Sequence, residues 1–303
     1  MAIAPSPAAP IRPLKGVRIL SLALNLPGPS ALMRCQTMGA TCIKLEPPAH
    51  PMAPKGSSGD PMAIYAQTAY AAMHQGIKTL SADLKTEPGR RVLHRELAKA
   101  DVLITSFRPS ALLKLGLGWK ALHKTYPQLS MVAIFGGPGT RAEEPGHDLT
   151  YMAENDLVTG LELPASLYAD MGGSLMVSEA ILQTRLQQLQ KGKSVRLEVA
   201  LSDAAGYLGL PRTWGLTTAG AAVGGGHAGY RVYACKDGRV AMAALEPHFA
   251  AALAEAAGLA DSRIQTMFMP PAHAAIAAFL ASKTRKQLDA LARAKDIPLH
   301  TLK

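Results

Sequence analysis

Residues 14–48 read LKGVRILSLALNLPGPSALMRCQTMGATCIKLEPP, and this stretch decides the predicted fold. Residues 17–22 are an apolar, partly β-branched run that predicts a strand, and a Pro-Gly-Pro turn follows it. Residues 30–38 are amphipathic and predict a helix that ends at Gly39, before a second strand at residues 41–45. Two short strands on either side of a helix predict a parallel βαβ unit.

The same alternation continues towards residue 200. Further strands are predicted at residues 79–84, 102–105, 131–135 and 194–199, with helices at residues 88–99 and 119–124. Helices dominate residues 148–189, where Gly172 and Gly173 predict a close turn or a helix start. Repeated βαβ units with short connections predict a Rossmann-like parallel sheet with helices on both faces.

The last third of the chain has a different pattern. Lys236-Asp237-Gly238 separates two short β-branched runs and predicts a hairpin, because Asp-Gly tolerates the positive φ angles of a tight turn. Three helices are predicted after it, at residues 247–257, 271–281 and 286–294. We therefore expect an α/β protein with a flexible leader (1–13), a large α/β domain (14–210) and a smaller α+β domain (211–303).

Composition excludes several classes of protein. The chain has 303 residues, 48% of them hydrophobic, and no apolar stretch reaches the roughly 18 residues of a membrane span. Its three cysteines have no CxxC spacing, which favours a reduced, cytoplasmic chain without a metal site. The net charge of +10 favours an anionic partner or a merely basic protein, but the scattered Lys and Arg residues argue against nucleic acid.

Four residues could carry acid–base chemistry. His147 and Asp148 follow a Pro-Gly turn and precede a helical run, so a helix cap and a first-turn carboxylate are the ordinary interpretations. Asp170 precedes Met-Gly-Gly and also fits a helix start, while Glu246 precedes a proline at a predicted helix N-terminus. Local sequence alone leaves both interpretations open.

Six segments in order resemble the family III CoA-transferases, a group that includes formyl-CoA transferase, the carnitine CoA-transferases and α-methylacyl-CoA racemase. They are residues 14–48, KTLSADLKTEPGRRVLHRELAKADVLITSFRPSALLKLGLGW, GHDLTYMA, ADMGGSL, KGKSVRLEVALSDA and YRVYACKDGRVAMAALEPHF. The resemblance implies a cytoplasmic, dimeric enzyme of lipid metabolism whose substrate carries coenzyme A, with no permanently bound cofactor and no membrane partner. Family members usually continue beyond a segment like residues 296–299, so we expect the return segment that closes their interlocked dimer to be missing.

The racemase branch of the family resembles this chain at its catalytic positions. Its histidine, aspartate and glutamate match His147, Asp170 and Glu246, and a nearby tyrosine matches Tyr151. Inverting a 2-methylacyl-CoA requires a base and an acid on opposite faces of a planar enolate. The resemblance therefore implies His147 and Asp170 as the acid–base pair, with Glu246 orienting His147. The enolate oxygen also needs donors, which we expect from backbone N–H groups near Asp148 or Gly172.

The transferase branch implies a different use of the same region. Its nucleophilic aspartate is matched to Asp148, which would carry CoA as an enzyme thioester between two carboxylic acids. A third alternative is an inactive homologue that binds CoA or a partner protein.

Coenzyme A binding is implied for the segment SFRPSALLK. Phe107, Arg108 and Lys114 match the family's CoA groove, where cations suit phosphates and an aromatic face suits adenine. Pro47 and Ile77 occupy positions where the family often has a basic residue, so we expect weaker phosphate binding than is usual in the family.

Overall fold

The computed structural model describes residues 11–54 and 57–303 and divides after Gly209 into two compact units. The predicted flexible leader at residues 1–13 therefore lies outside the described residues, apart from residues 11–13.

The first unit contains a parallel sheet of six strands in the order β3-β2-β1-β4-β5-β6. The strands are β1 (Arg18–Ser21), β2 (Thr41–Glu46), β3 (Lys78–Ser81), β4 (Val102–Thr105), β5 (Ser130–Phe135) and β6 (Arg196–Ala200). This is the doubly wound order of Rossmann-type sheets, whose direction of winding reverses between β1 and β4. Ligands of such sheets bind beside the carboxyl ends of the strands at that reversal.

Helices connect the strands and cover both faces of the sheet. They are α1 (Pro27–Thr37), α2 (Met62–Tyr65), α3 (Gln67–Met73), α4 (Glu87–Leu97), α5 (Pro109–Lys114), α6 (Trp119–Thr125), α7 (Asp148–Glu154), α8 (Tyr168–Lys191) and α9 (Leu201–Thr213). Successive side chains of β4 enter different cores: Val102 and Ile104 pack in one, and Leu103 packs in the other. Burial on both faces explains why these strands are nearly continuous apolar runs.

The second unit contains a three-stranded antiparallel sheet in the order β7-β8-β9. Its strands are β7 (Tyr230–Cys235), β8 (Gly238–Ala243) and β9 (Leu299–Leu302), and its helices are α10 (Pro247–Ala256), α11 (Ile264–Met267), α12 (Pro270–Ala281) and α13 (Arg285–Lys295). One face of the sheet packs with these helices in a separate core that includes Val240, Leu253 and Ile276.

The predicted fold class is confirmed, with one local prediction wrong. Gly172 and Gly173 do not form a turn or start a helix; both lie inside α8. A Cβ atom at Gly173 would lie 2.3 Å from Leu201 Cδ2, so the glycine permits close packing of α8 against the segment after β6.

Several elements are absent from the sequence-based prediction. They are α2, α3, α5, α9, α11 and the edge strand β9. Among the described residues, no helix is both long enough and apolar enough to cross a lipid bilayer.

Gly28, in the first turn of α1, approaches the loop after β1 closely. A Cβ atom there would lie 2.2 Å from Ala23 Cβ, so Gly28→Ala should force a backbone shift and destabilise the protein by about 1–3 kcal/mol. Gly160→Ala is the matched control, because a Cβ atom at Gly160 meets nothing within 4 Å. Urea unfolding of both variants measures the difference, and equal stabilities would contradict the packing described here.

Candidate active site

A cleft of about 180 Å³ opens at the carboxyl ends of β1, β4, β5 and β6, at the reversal of the strand order. Its lining residues all belong to the first unit: Leu24, Asn25, Pro27, Ser106, Arg108, Ile134, Phe135, Gly136, Ala142, Glu144, Gly146, His147, Tyr151, Asp170 and Leu201. The cleft therefore brings together four of the predicted residues, Arg108, His147, Tyr151 and Asp170.

Asp170 lies in the first turn of α8 and lines the cleft. Burial, followed by the negative charge of Asp148, raises the pKa of the Asp170 carboxyl to about 7. A carboxyl group with such a pKa is partly protonated at neutral pH and can both donate and accept a proton.

Asp148 lies behind this group and is not part of the cleft lining. It is the first residue of α7, it is 5% exposed, and its Oδ1 accepts the backbone N–H of Asp170 at 2.9 Å. That N–H belongs to the first turn of α8, where helix geometry leaves donors without an intrahelical partner. Asp148 thus holds Asp170 in place and supplies part of the charge that raises its pKa.

His147 occupies the N-cap position of α7, directly before Asp148, and is exposed at the cleft. Its backbone is fixed twice by Thr150, whose Oγ1 accepts the His147 N–H at 3.1 Å and donates to the His147 carbonyl at 2.7 Å. The rigid backbone holds the imidazole at the cleft mouth.

Tyr151 is a member of the cleft lining. It is buried, and burial raises the pKa of its phenol, which keeps the hydroxyl protonated as a hydrogen-bond donor. The ring requires glycine beside it, because a Cβ atom at Gly136 would lie 2.4 Å from the Tyr151 hydroxyl oxygen and one at Gly146 would lie 2.6 Å from it.

Two ion-pair and hydrogen-bond contacts fasten the segment between β5 and α7 beside the cleft. Arg141 donates to both carboxylate oxygens of Glu154, at 2.6 and 2.8 Å. Glu143 accepts the backbone N–H and the hydroxyl of Ser110, at 2.6 and 2.8 Å. Both contacts limit the freedom of the segment that carries Glu144 and Gly146 into the cleft lining.

Glu246 belongs to the second unit, where it is exposed at the N-cap of α10. Its predicted role in orienting His147 stays a prediction. A backbone N–H donor was also expected near Gly172. Because Gly172 lies inside α8, its N–H group donates within the helix.

The residues expected to bind CoA are separated. Phe107 lines a second cavity of about 170 Å³, together with Leu22, Leu24, Leu45, Glu46, Pro47, Ala82, Asp83, Leu84, Lys85 and Leu115. Arg108 faces the cleft, whereas Lys114 is exposed at the end of α5 and lines neither cavity. Ile77 is buried in the core of the first unit and lines neither cavity.

Sequence reasoning missed several residues of these cavities. Lys85 lines the second cavity, and its signal was present in the segment KTLSADLK that carries part of the resemblance. Asn25 and Ser106 line the cleft, and their only signal was their position in the loops that follow the predicted strands β1 and β4.

Removing the Asp170 carboxyl should stabilise the protein at alkaline pH. Folding raises the pKa of Asp170 from 3.8 to about 7, so between these pH values the folded protein holds a proton that the unfolded chain has released. The free energy of unfolding therefore falls as pH rises from about 4 to about 7. Asp170→Asn should therefore exceed the wild type in unfolding free energy at pH 8, by on the order of a few kcal/mol, and by much less at pH 4.

Denaturant titrations at the two pH values measure this difference. Asp203→Asn, at an exposed position in the first turn of α9, serves as the control and should show no such pH-dependent gain. A gain for Asp170→Asn that is equal at both pH values would contradict the raised pKa.

The cleft and its residues can be compared with known proteins. A sequence model of CoA-transferase family III matches residues 14–303. The chain is 30% identical over 205 residues to the probable fatty acyl-CoA transferase Rv3272 of Mycobacterium tuberculosis, covering 65% of this chain and 52% of that protein. It is 28% identical over 269 residues to the α-methylacyl-CoA racemase of Mus musculus, covering 83% of this chain and 66% of the racemase.

A protein named as a CoA-transferase is also similar to this chain. The cinnamoyl-CoA:phenyllactate CoA-transferase of Clostridium sporogenes is 35% identical over 151 residues, covering 48% of this chain and 36% of that enzyme. The chain thus spans between about a third and two-thirds of the length of these three curated relatives.

Solved structures agree with the fold. A crystal structure of Rv3272 superposes with a TM-score of 0.80 at 25% identity, covering 97% of this chain and 84% of that one. A CaiB/BaiF family protein from Brucella suis has a TM-score of 0.75 at 23% identity, covering 97% of this chain and 85% of that one, and supports the fold alone. The family match extends over nearly the whole chain, and the chain is a member of CoA-transferase family III.

Proposed function

We propose that this chain is an acyl-CoA racemase that exchanges the proton α to the thioester of a 2-methylacyl-CoA. The proposal is carried by one observation: His147 and Asp170 line the same cleft, and the pKa of Asp170 is raised to about 7. An imidazole and a carboxyl group whose pKa is raised to about 7 are suited to remove and return a proton at neutral pH. The similarity to the mouse α-methylacyl-CoA racemase supports the same reaction.

The proposed reaction uses each group once. His147 takes the α-proton, the C–H bond breaks, and its electron pair moves into an enolate whose negative charge lies on the thioester oxygen. Asp170, in its protonated form, delivers its proton to the opposite face of the α-carbon and forms the new C–H bond. The reverse reaction exchanges the two roles, so the same pair serves both epimers.

Asp148 takes a supporting role in this proposal. Its carboxylate is buried, accepts the Asp170 backbone N–H, and does not line the cleft, so it is badly placed to attack a thioester. It favours the protonated form of Asp170 through its negative charge.

CoA transfer is the second candidate, and a cleft-facing carboxyl group favours it. If the chain is a transferase, we propose Asp170 as the nucleophile in place of Asp148, because Asp170 is the aspartate that lines the cleft. Several relatives are named as CoA-transferases, which supports this alternative.

The coenzyme is proposed to lie along the carboxyl edge of the sheet. The second cavity offers apolar and aromatic side chains for the adenine, and its lining includes both Phe107 and Lys85. Arg108 faces the cleft and is suited to a phosphate or carboxylate of the bound substrate.

Single-epimer exchange experiments test the racemase proposal. Wild-type protein in D₂O should exchange the α-proton of both the (2R) and the (2S) 2-methylacyl-CoA, followed by NMR. His147→Ala should lower the exchange rate of one epimer, and Asp170→Asn should lower that of the other, each by about 10²–10⁴-fold. The reason is that each group deprotonates one face of the α-carbon.

The other outcomes separate the alternatives. The wild type could instead transfer CoA to an added carboxylic acid and exchange no α-proton. If Asp170→Asn loses this transfer activity and His147→Ala keeps it, CoA transfer replaces racemisation as the proposed function. CoA binding by calorimetry without exchange or transfer would indicate an inactive homologue.

Adding a cation at the second cavity should tighten CoA binding. Pro47 lines that cavity where an arginine is common in the family, and one charge-assisted hydrogen bond contributes roughly 1.5–3 kcal/mol, so Pro47→Arg should lower the Kd for CoA about tenfold or more. Met52→Arg adds the same charge at an exposed site outside both cavities and is the control. Equal effects of the two variants in calorimetry would contradict a phosphate position beside Pro47.

A further inference from the structure

Asn25 has a strained backbone at the cleft. Its φ is +61°, in the left-handed region that non-glycine residues seldom adopt, and it lies in the loop between β1 and α1. It lines the cleft with His147 and Asp170. Strained residues persist where the surrounding structure holds them, and they concentrate at functional sites.

A buried ionic cluster holds this conformation. Both carboxylate oxygens of Asp60 accept the Asn25 backbone N–H at 3.2 Å, and Oδ1 also accepts the Met62 N–H at 2.9 Å. Asp60 is fully buried and pairs with the fully buried ammonium of Lys44, which also lies 3.3 Å from Glu46 Oε2. A buried ion pair is costly to desolvate, so its placement here points to a requirement for one fixed loop geometry.

The Asn25 amide is oriented as well. The hydroxyl of Tyr65, the last residue of α2, lies 3.5 Å from Asn25 Oδ1 and donates to it. With its oxygen turned to Tyr65, the amide keeps both hydrogens of its Nδ2 group for another acceptor. Among the described residues, none accepts a hydrogen bond from Nδ2.

We propose that Asn25 Nδ2 donates a hydrogen bond to the thioester oxygen of the bound acyl-CoA. This inference rests on the proposed racemisation, in which the α C–H electron pair moves into the enolate and leaves negative charge on that oxygen. A fixed amide donor stabilises this charge more than it stabilises the neutral thioester. The left-handed backbone, the Asp60 contact and the Tyr65 contact together hold the donor in position.

Two substitutions of Asn25 test whether its side chain acts as a hydrogen-bond donor or whether the residue serves only to adopt a positive φ angle. Asn25→Gly keeps the left-handed backbone without strain but removes the amide, and Asn25→Asp keeps the size but replaces the donor by a charged acceptor. Asp296→Gly is the matched control, because Asp296 has a φ of +51° at the end of α13, in the second unit.

Two readouts are needed. In the α-proton exchange assay, Asn25→Gly should lower kcat by about 10²–10³-fold with little change in KM, and Asn25→Asp should lower it further. In isotope-edited infrared spectra of a ¹³C-carbonyl acyl-CoA, binding to the wild type should move the C=O stretch to lower frequency, and Asn25→Gly should reverse that shift. Asp296→Gly should change neither.

The outcomes distinguish this inference from the proposed function. In one outcome, the wild-type protein shifts the C=O stretch, and Asn25→Gly reverses that shift, without any α-proton exchange. That result would support the Asn25 donor and contradict the racemase proposal. Exchange in the wild type, with unchanged kcat and unchanged C=O frequency in Asn25→Gly, would overturn the Asn25 donor and leave the racemase. Loss of both signals together with lost thermal stability in Asn25→Gly, but not in Asp296→Gly, would mean a structural role and overturn the donor too.

Discussion

The hydrogen bond from the Asp170 backbone N–H to the buried Asp148 carboxylate links the start of α8 to the start of α7. It fixes the position of Asp170 in the cleft, and it places a negative charge behind the Asp170 carboxyl. Because His147 directly precedes Asp148, the same junction also sets the place of the imidazole. The chemistry of the cleft therefore depends on one contact between two helix N-termini.

The parallel sheet provides the frame for that junction. Its strand order reverses between β1 and β4, and the loops after these strands diverge there and leave room for a ligand. The loop after β1 carries Asn25, the loop after β4 carries Ser106 and Arg108, and the segments after β5 and β6 close the other side. The loops after β1 and β4 also border the second cavity, which offers apolar walls and Lys85.

Much of this fold could be predicted from local sequence. Glycine and proline mark the ends of the first strand and helix, and continuous apolar runs mark strands buried on both faces, so the βαβ order was readable. The elements that were missed depend on tertiary contacts. Among the described residues, β9 pairs with β8 alone, and α2, with four residues, is too short for a helical period to be evident.

The site was predictable in residue type more than in arrangement. Resemblance identified His147, Tyr151 and Asp170, which the fold gathers in one cleft, but it could not tell that Asp148 is buried behind Asp170. The sequence also gave no signal for the ionic cluster, because Lys44 and Asp60 meet only after β2 and the loop beyond it have folded. The role predicted for Glu246 stays a prediction, because Glu246 belongs to the second unit and the cleft lies in the first.

We propose that Asp170 carries a proton near neutral pH at the position where the proposed racemisation needs an acid. A ¹³C-carboxyl NMR titration of the wild-type protein, with the Asp170 resonance assigned by its loss in Asp170→Asn, tests this claim most directly. We expect a midpoint near 7 that falls towards the ordinary aspartate range when Asp148 is replaced by asparagine. A wild-type midpoint near the ordinary value, about 4, would contradict it.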